Sequence, residues 1–172
     1  MSSEKARGAD NQQESKSPSR ISPKYLAGFV DGEGCFYIGF SKRQDLPLKW
    51  QIITEFHLSQ NPGGMNILKE FCRRIGCGYI KPNHPGSLRD KSWVLIVKNQ
   101  DDLREKLISF FKRHPLHSNK ARDFEIFEKV LFLMKKKRHL TKKGFKKIVE
   151  MVFTNPHLGK RKYLKKEILS SL

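Results

Sequence analysis

Asp31-Gly32-Glu33-Gly34 sets two carboxylates two residues apart, each followed by a glycine. The residues ahead, Tyr25-Leu26-Ala27-Gly28-Phe29-Val30, read as a short helix. Ser22 is a good N-cap for it, and Pro23 suits its first position. The two acids therefore fall at the helix C-terminus, where the macrodipole is negative and opposes them by about 0.3–1 kcal/mol. A cation beside them would reverse that penalty, because carboxylate and backbone carbonyl oxygens are the hard donors that Mg2+ and Ca2+ take. Spacing alone also leaves open an ordinary glycine-rich turn with solvated acids. Gly28 is the second oddity: in mid-helix it is about 1 kcal/mol worse than Ala. A missing Cβ lets two helix backbones approach closely, which is a reason to keep it.

The elements that must hold these residues follow from periodicity. From Cys35 the apolar period becomes two, with Phe36, Ile38 and Phe40 alternating with Tyr37, Gly39 and Ser41. Asp45-Leu46-Pro47 marks a turn, and Trp50, Ile52, Thr54, Phe56 and Leu58 then alternate with Gln51, Ile53, Glu55 and His57. This is a hairpin with one core face and one polar face. Met65 to Ile75 is helical and stops at Gly76. A second hairpin runs from Gly78 to Asn83, turns through His84-Pro85-Gly86, and returns over Trp93 to Val97. Asp101 and Asp102 open a helix that Pro115 closes, Ser118 caps a longer one, Thr141 caps another, and a last covers Lys162 to Leu169. Helix, hairpin, helix, hairpin, helices predicts an α+β domain: a four-stranded antiparallel sheet with helices on one face and an open, polar, basic face on the other.

Residues 1–20 are polar and nearly neutral, and are expected to form a disordered tail ahead of one domain over 21–172. They lack the apolar stretch of a secretory signal, and Glu4, Asp10 and Glu14 do not suit a transit peptide. No apolar run approaches the ~18 residues that span a bilayer. Three cysteines are odd for a disulfide framework. Cys72 and Cys77 have no second ligand pair at zinc spacing, which points to reduced thiols inside a cell. The net charge is +18, of which +12 lies from Lys129 onward, where 14 Lys and Arg face 2 Glu. Lys135-Lys136-Lys137-Arg138 and Lys160-Arg161-Lys162 favour phosphate contact over a merely solvated helix face.

Tyr25 to Gly34 resembles the signature of the LAGLIDADG homing endonucleases, in the matching context of a helix running into a strand. The similarity extends from about Ile21 to the C-terminus, through Leu116-His117-Ser118-Asn119-Lys120 and His139-Leu140-Thr141-Lys142-Lys143-Gly144. It implies the αββαββα LAGLIDADG fold and a site-specific endonuclease that hydrolyses both strands of DNA at a long, nearly palindromic target. Only one motif is present. The resemblance therefore implies a C2 homodimer whose motif helices pack across the axis, with Tyr25, Ala27 and Gly28 lining the contact. It implies Mg2+ as cofactor, with Mn2+ or Ca2+ able to substitute for binding. Glu33 and the Gly32 carbonyl are the implied ligands, and Asp31 is left to cap or hydrogen-bond locally. Gln60 corresponds to a residue that orders water near the metal, and Lys120 to the basic catalytic helper, with Asn119 as the rival register. A basic residue that some members carry a few positions after Gln60 is replaced here by Gly63-Gly64.

An antiparallel ribbon can enter the major groove and offer alternate side chains to base edges. On the first hairpin those are Tyr37, Ser41, Arg43, Gln51, Glu55 and His57. On the second they are Lys81, Asn83, Arg89 and Lys91. Lys42 and Lys49 are candidates for phosphate contact. Three other readings stay open: a maturase binding intron RNA, a cleavage-dead DNA-binding module of the same fold, and a basic RNA-binding protein of ribosomal type. The expected setting is intracellular, in prokaryotic cytoplasm or an organelle, with no membrane partner.

Overall fold

Ser22 opens the first helix as expected, its Oγ accepting the Tyr25 N–H at 3.1 Å, and α1 runs Pro23–Glu33. The computed structural model describes residues 21–155 and 162–172, so the expected tail at 1–20 and Lys160-Arg161 lie outside the described residues. Strand β1 (Gly34–Lys42) follows α1 without a loop. Strand β2 (Trp50–Gln60) returns antiparallel beside it, with Gly34 opposite Leu58 and Lys42 opposite Trp50. Helix α2 (Met65–Ile75) ends at Gly76, in the left-handed region at φ 67°. Strands β3 (Tyr79–Pro82) and β4 (Trp93–Val97) form the second hairpin, and the sheet order is β1-β2-β4-β3.

The third helical segment opens one residue earlier than the two acids suggest. Asn99 Oδ1 accepts the Asp101 and Asp102 N–H groups, so α3 (Gln100–Asp102) continues through a π-helical turn, Leu103–Leu107, into α4 (Ile108–Arg113). Helix α5 (Lys120–Lys135) has Asn119 at its cap position rather than Ser118. Thr141 caps α6 (Lys142–Phe153), its Oγ1 accepting the Gly144 N–H at 3.1 Å. The last helix, α7 (Lys165–Ser170), is shorter than its expected span.

Alternation decides which face of the hairpin is covered. Phe36, Ile38, Phe40, Trp50, Ile52, Phe56 and Leu58 all point into the helical layer and are under 9% exposed. Phe36 sits among Phe56, Phe111, Phe124 and Phe127, with ring centroids 5.4–5.5 Å away. Phe145 of α6 packs on Phe40. The Trp50 indole donates to Ser171 Oγ at 2.8 Å, tying the C-terminus to the far end of the hairpin. Burying each such aromatic stabilises the fold by about 1.5–3 kcal/mol. The helical layer therefore fixes the sheet and leaves its other face open.

Candidate metal centre and nucleic-acid interface

Glu33 is the last residue of α1 and is exposed. The turn that presents it is tight, because the Gly34 N–H bonds back to Val30 O and the strand starts at once. A Cβ on Gly34 would lie 2.5 Å from Val30 Cγ1 and 2.7 Å from Val30 O, so only glycine allows this junction. Among the described residues Glu33 makes no ion pair, and no three His, Cys, Asp or Glu side chains gather as a metal cluster. One chain thus offers one uncommitted carboxylate and the neighbouring carbonyl of Gly32. These hard oxygens fit Mg2+ or Ca2+ in kind, but they are too few to fill its shell.

Asp31 is committed elsewhere, and not locally as expected. Its Oδ2 accepts the N–H groups of His117 and Ser118, both at 2.9 Å, and its Oδ1 accepts Ser118 Oγ at 2.7 Å. The residues are 86 and 87 positions apart, beyond the reach of any local pattern. Burial pushes the Asp31 carboxyl up, but the bonds from Ser118 and His117 outweigh it and hold it below the usual carboxylate range. Ser118 Oγ in turn accepts the Lys120 N–H at 3.1 Å. The C-terminal end of α1 and the first turn of α5 are therefore one clamped unit. Lys120 is half-buried beside Cys35. Burial raises that thiol's pKa, the Lys120 charge lowers it, and Asp123 raises it, so the net shift is upward. Asn119, the rival register, is exposed and makes no side-chain cap bond.

Gln60 closes β2, two residues past the Leu58–Gly34 pair, at the end of the sheet where α1 meets β1. Its Oε1 accepts the Asn61 N–H at 2.9 Å. A Cβ on Gly64 would come within 2.5 Å of Gln60 Cγ. Of the two glycines that replace the basic residue some members carry, Gly64 thus lets the backbone close over Gln60, whereas a Cβ on Gly63 would meet nothing within 4 Å.

Helix α1 also keeps a free stripe. Tyr25 is 55% exposed, Gly28 and Gly32 are exposed and Phe29 is half-buried, at helical spacing along one side. Ala27 is not part of it: at 4% exposure it faces the chain's own core with Leu26 and Val30, which corrects its expected place on an interface. A Cβ at Gly28 would touch nothing within 4 Å, so no contact among the described residues demands glycine there.

On the open face of the sheet, Tyr37 stands opposite Glu55 and Ser41 opposite Gln51. Glu55 bonds His57 Nε2 at 2.7 Å and Lys98 Nζ at 2.9 Å, and the Tyr37 ring lies parallel to His57 at 6.1 Å. Burial raises the Glu55 pKa, but Lys98 and His57 bring it below the usual range. Arg43, just past β1, forks onto Asp45 and reaches Gln51 Oε1 at 3.2 Å. Lys81, Arg89 and Lys91 are exposed on the second hairpin, while Asn83 Nδ2 donates to Ser92 Oγ at 3.2 Å. Lys42 and Lys49 are exposed but engaged: Lys42 lies over Trp50 and Tyr163, and Lys49 donates to Gln44 O. The face is less uniformly basic than expected, since Ile53, Val94 and Ile96 also share it. Lys98 was missed, although it stands two residues past Ile96 and so on the same side.

A free carboxylate at a helix end, a clamped lysine and an open sheet with cations at its rim suit a phosphodiester substrate. Comparison with known proteins agrees. Residues 26–131 match the LAGLIDADG endonuclease family. "Probable intron-encoded endonuclease 3" of Neurospora crassa is 30% identical over 153 residues, covering 86% of this chain and 27% of that protein. The first relatives found are much longer, and the chain spans about a quarter to a third of their length. The solved homing endonuclease I-TnaI superposes with a TM-score of 0.73 at 30% identity, covering 88% of this chain and 95% of that one. Meganuclease I-SmaMI, solved bound to uncleaveable DNA, gives 0.73 at 26% identity, covering 80% and 46%. With its motif turning directly into the first strand of the expected four-stranded sheet, the chain belongs to the LAGLIDADG endonuclease family.

Proposed function

We propose that this chain is an intron-encoded homing endonuclease that cuts both strands of a long, nearly palindromic DNA site as a C2 homodimer. The observation that carries this reading is the exposed, uncommitted Glu33 at the point where the free stripe of α1 meets the open sheet. One chain supplies one such acid, whereas a two-fold copy packed on Tyr25, Gly28, Phe29 and Gly32 would bring a second beside it. The relatives' names as intron-encoded endonucleases and the DNA-bound I-SmaMI support the substrate class. An intracellular or organellar setting is part of the same reading. No helix among the described residues is long and apolar enough to cross a membrane.

Glu33 and the Gly32 carbonyl would hold Mg2+, which when bound neutralises phosphate charge and makes water a better nucleophile. Lys120 adds a positive charge beside the scissile phosphate, and the Asp31–Ser118 clamp keeps it there. Gln60 orders the attacking water through its amide. Tyr37, Ser41, Arg43, Gln51 and His57 present to base edges on the first hairpin, and Lys81, Asn83, Arg89 and Lys91 do so on the second. Glu55, held by Lys98 and His57, aims its neighbours. Incubation with a randomised duplex library and Mg2+ should enrich a cut site, and Glu33→Gln should lose cutting by a factor of a hundred or more, the order expected for removing a metal-activating group. Wild-type protein that cuts no enriched site would sink the reading.

A further inference from the structure

Helices α5 and α6 leave a trough of about 440 Å³ between them, and a second hollow of about 500 Å³ continues it past Lys129. Phe132, Leu133 and Met151 make its apolar floor, the first 53% exposed and the other two half-buried. Helix α5 turns Phe127, Val130, Leu131 and Met134 inward, and Phe127 lies on Phe36, whose side of β1 is the covered one. The trough therefore looks away from the open sheet face, and a duplex seated on the sheet does not reach it.

The walls are cationic and unneutralised. Lys136 and Arg138 stand at the end of α5 and just past it, Lys143 and Lys147 on α6, and all four are exposed. The acids nearest in sequence are committed: Glu125 pairs with Lys129 at 3.8 Å, Glu128 with Lys112, and Glu150 with Lys165. Among the described residues none of the four cations has an acidic partner. Lys143 and Lys147 are one helical turn apart, a spacing at which like charges repel, and an acid seated between them would relieve that repulsion. The one aromatic ring of the floor is already covered, since Lys136 Nζ lies 4.4 Å from the Phe132 centroid. Leu133 and Met151 have no flat face. The floor thus suits branched aliphatic side chains rather than stacked planar rings, and methionine adapts to irregular apolar partners.

We infer that the α5–α6 trough is the docking site for an acidic amphipathic helix of a partner protein. From Lys143 to Met151 the α6 wall runs about 12 Å, two helical turns. A helix laid along it sets apolar anchors at i, i+4 and i+7 on Phe132, Leu133 and Met151. Asp or Glu side chains flanking those anchors face Lys136, Arg138, Lys143 and Lys147. A second copy of this chain, at +18, opposes the same four cations. Residues 1–20 hold three acids against four bases and no Leu, Ile, Val or Phe, so they supply neither the charge nor the anchors.

The test is fluorescence anisotropy of the full chain, in excess duplex DNA, with a labelled synthetic helix of about fourteen residues that carries leucines at i, i+4 and i+7 and glutamates around them. A scrambled peptide of the same composition has the charge without the stripe. The striped peptide should bind at least about tenfold tighter than the scrambled one. Phe132→Ala should weaken it by about tenfold or more, the scale of a lost interface anchor. Phe132→Met, which keeps an apolar anchor, should retain most of the affinity and controls for folding. Lys143→Ala with Lys147→Ala should weaken it about two- to tenfold at low salt and less at high salt, because partly exposed pairs are screened. Phe132→Ala should leave duplex DNA binding intact. Glu33→Gln should leave peptide affinity intact, so that a failure of the cutting reading and a failure of this one are told apart. Equal affinity for the two peptides, unchanged affinity in Phe132→Ala, or an equal loss for a short single-stranded RNA in that variant would each overturn the inference.

Discussion

Asp31 ties the end of α1 to a segment far away in the chain, and on the proposed reading it would serve the reaction without joining it. It accepts three hydrogen bonds from His117 and Ser118, and through Ser118 it fixes the first N–H of the helix that carries Lys120. Replacing it with Ala removes a cap from the approach to α5, worth about 0.5–2 kcal/mol in urea unfolding. Cutting measured well below the melting temperature should fall more than that stability loss explains, because Lys120 loses its anchor. Asp31→Asn, which keeps one acceptor, should lie between. Equal activity in Asp31→Ala and wild type would refute the positioning role. Nothing in the spacing of Asp31-Gly32-Glu33 announces these bonds. The motif shows two acids, but the partner of the first is set by tertiary packing.

At the scale of elements, α2 is pinned to the start of α1. Glu70 bonds Arg73 and Arg74, and Arg74 also donates to the Ile21 carbonyl at 3.1 Å. The Arg73 bond, reinforced by Arg74, outweighs desolvation and brings the Glu70 pKa down to about 2. A depressed carboxylate stabilises the fold fully above its unfolded value and loses that contribution as pH falls through its folded value. The melting-temperature gap between wild type and Glu70→Gln should therefore be constant at neutral pH and close between the ordinary glutamate range, roughly pH 4.3, and about pH 2. A gap that persists at the acid end would mean that the side chain acts through packing instead. The elements themselves were largely legible. Period-two alternation identified β1 and β2 with the correct buried sides, because one face is covered and one is open. Val94-Leu95-Ile96-Val97 gave no such alternation, since Val94 and Ile96 on the open side are as hidden as their neighbours, at 3% and 5% exposure. Ala27 was misplaced because α1 buries adjacent positions, Leu26 and Ala27, so its apolar side is wider than the motif suggests.

For the whole molecule, Gly28 separates what a lone chain needs from what an assembly needs. Among the described residues its Cβ would meet nothing, so Gly28→Glu should fold with no loss of melting temperature and should gain helix propensity of a few tenths of a kcal/mol. If the free stripe of α1 packs on its copy, the same change sets two carboxylates against each other at a close backbone contact. Light scattering should then report a monomer, and cutting should disappear. A Gly28→Glu protein that still assembles would rule out this face.

The long strand β2 is held unevenly. Its last five residues, Phe56 to Gln60, are hydrogen-bonded on one side to β1 as far as Leu58 and on the other to β4, whereas Trp50 to Glu55 pair with β1 alone. The end near Glu33 is thus locked in the interior of the sheet, and the far end is a two-stranded ribbon backed by α6 and by the Trp50–Ser171 bond. Amide hydrogen exchange should rank accordingly, slowest around Phe56 to Leu58 and quickening toward Gln51, because opening a ribbon breaks fewer cooperative contacts than opening a four-stranded core. Uniform protection along β2 would contradict it. The two tasks would then run on different clocks, with a ribbon that breathes to follow the curvature of a groove and a reaction centre that stays still while it does so.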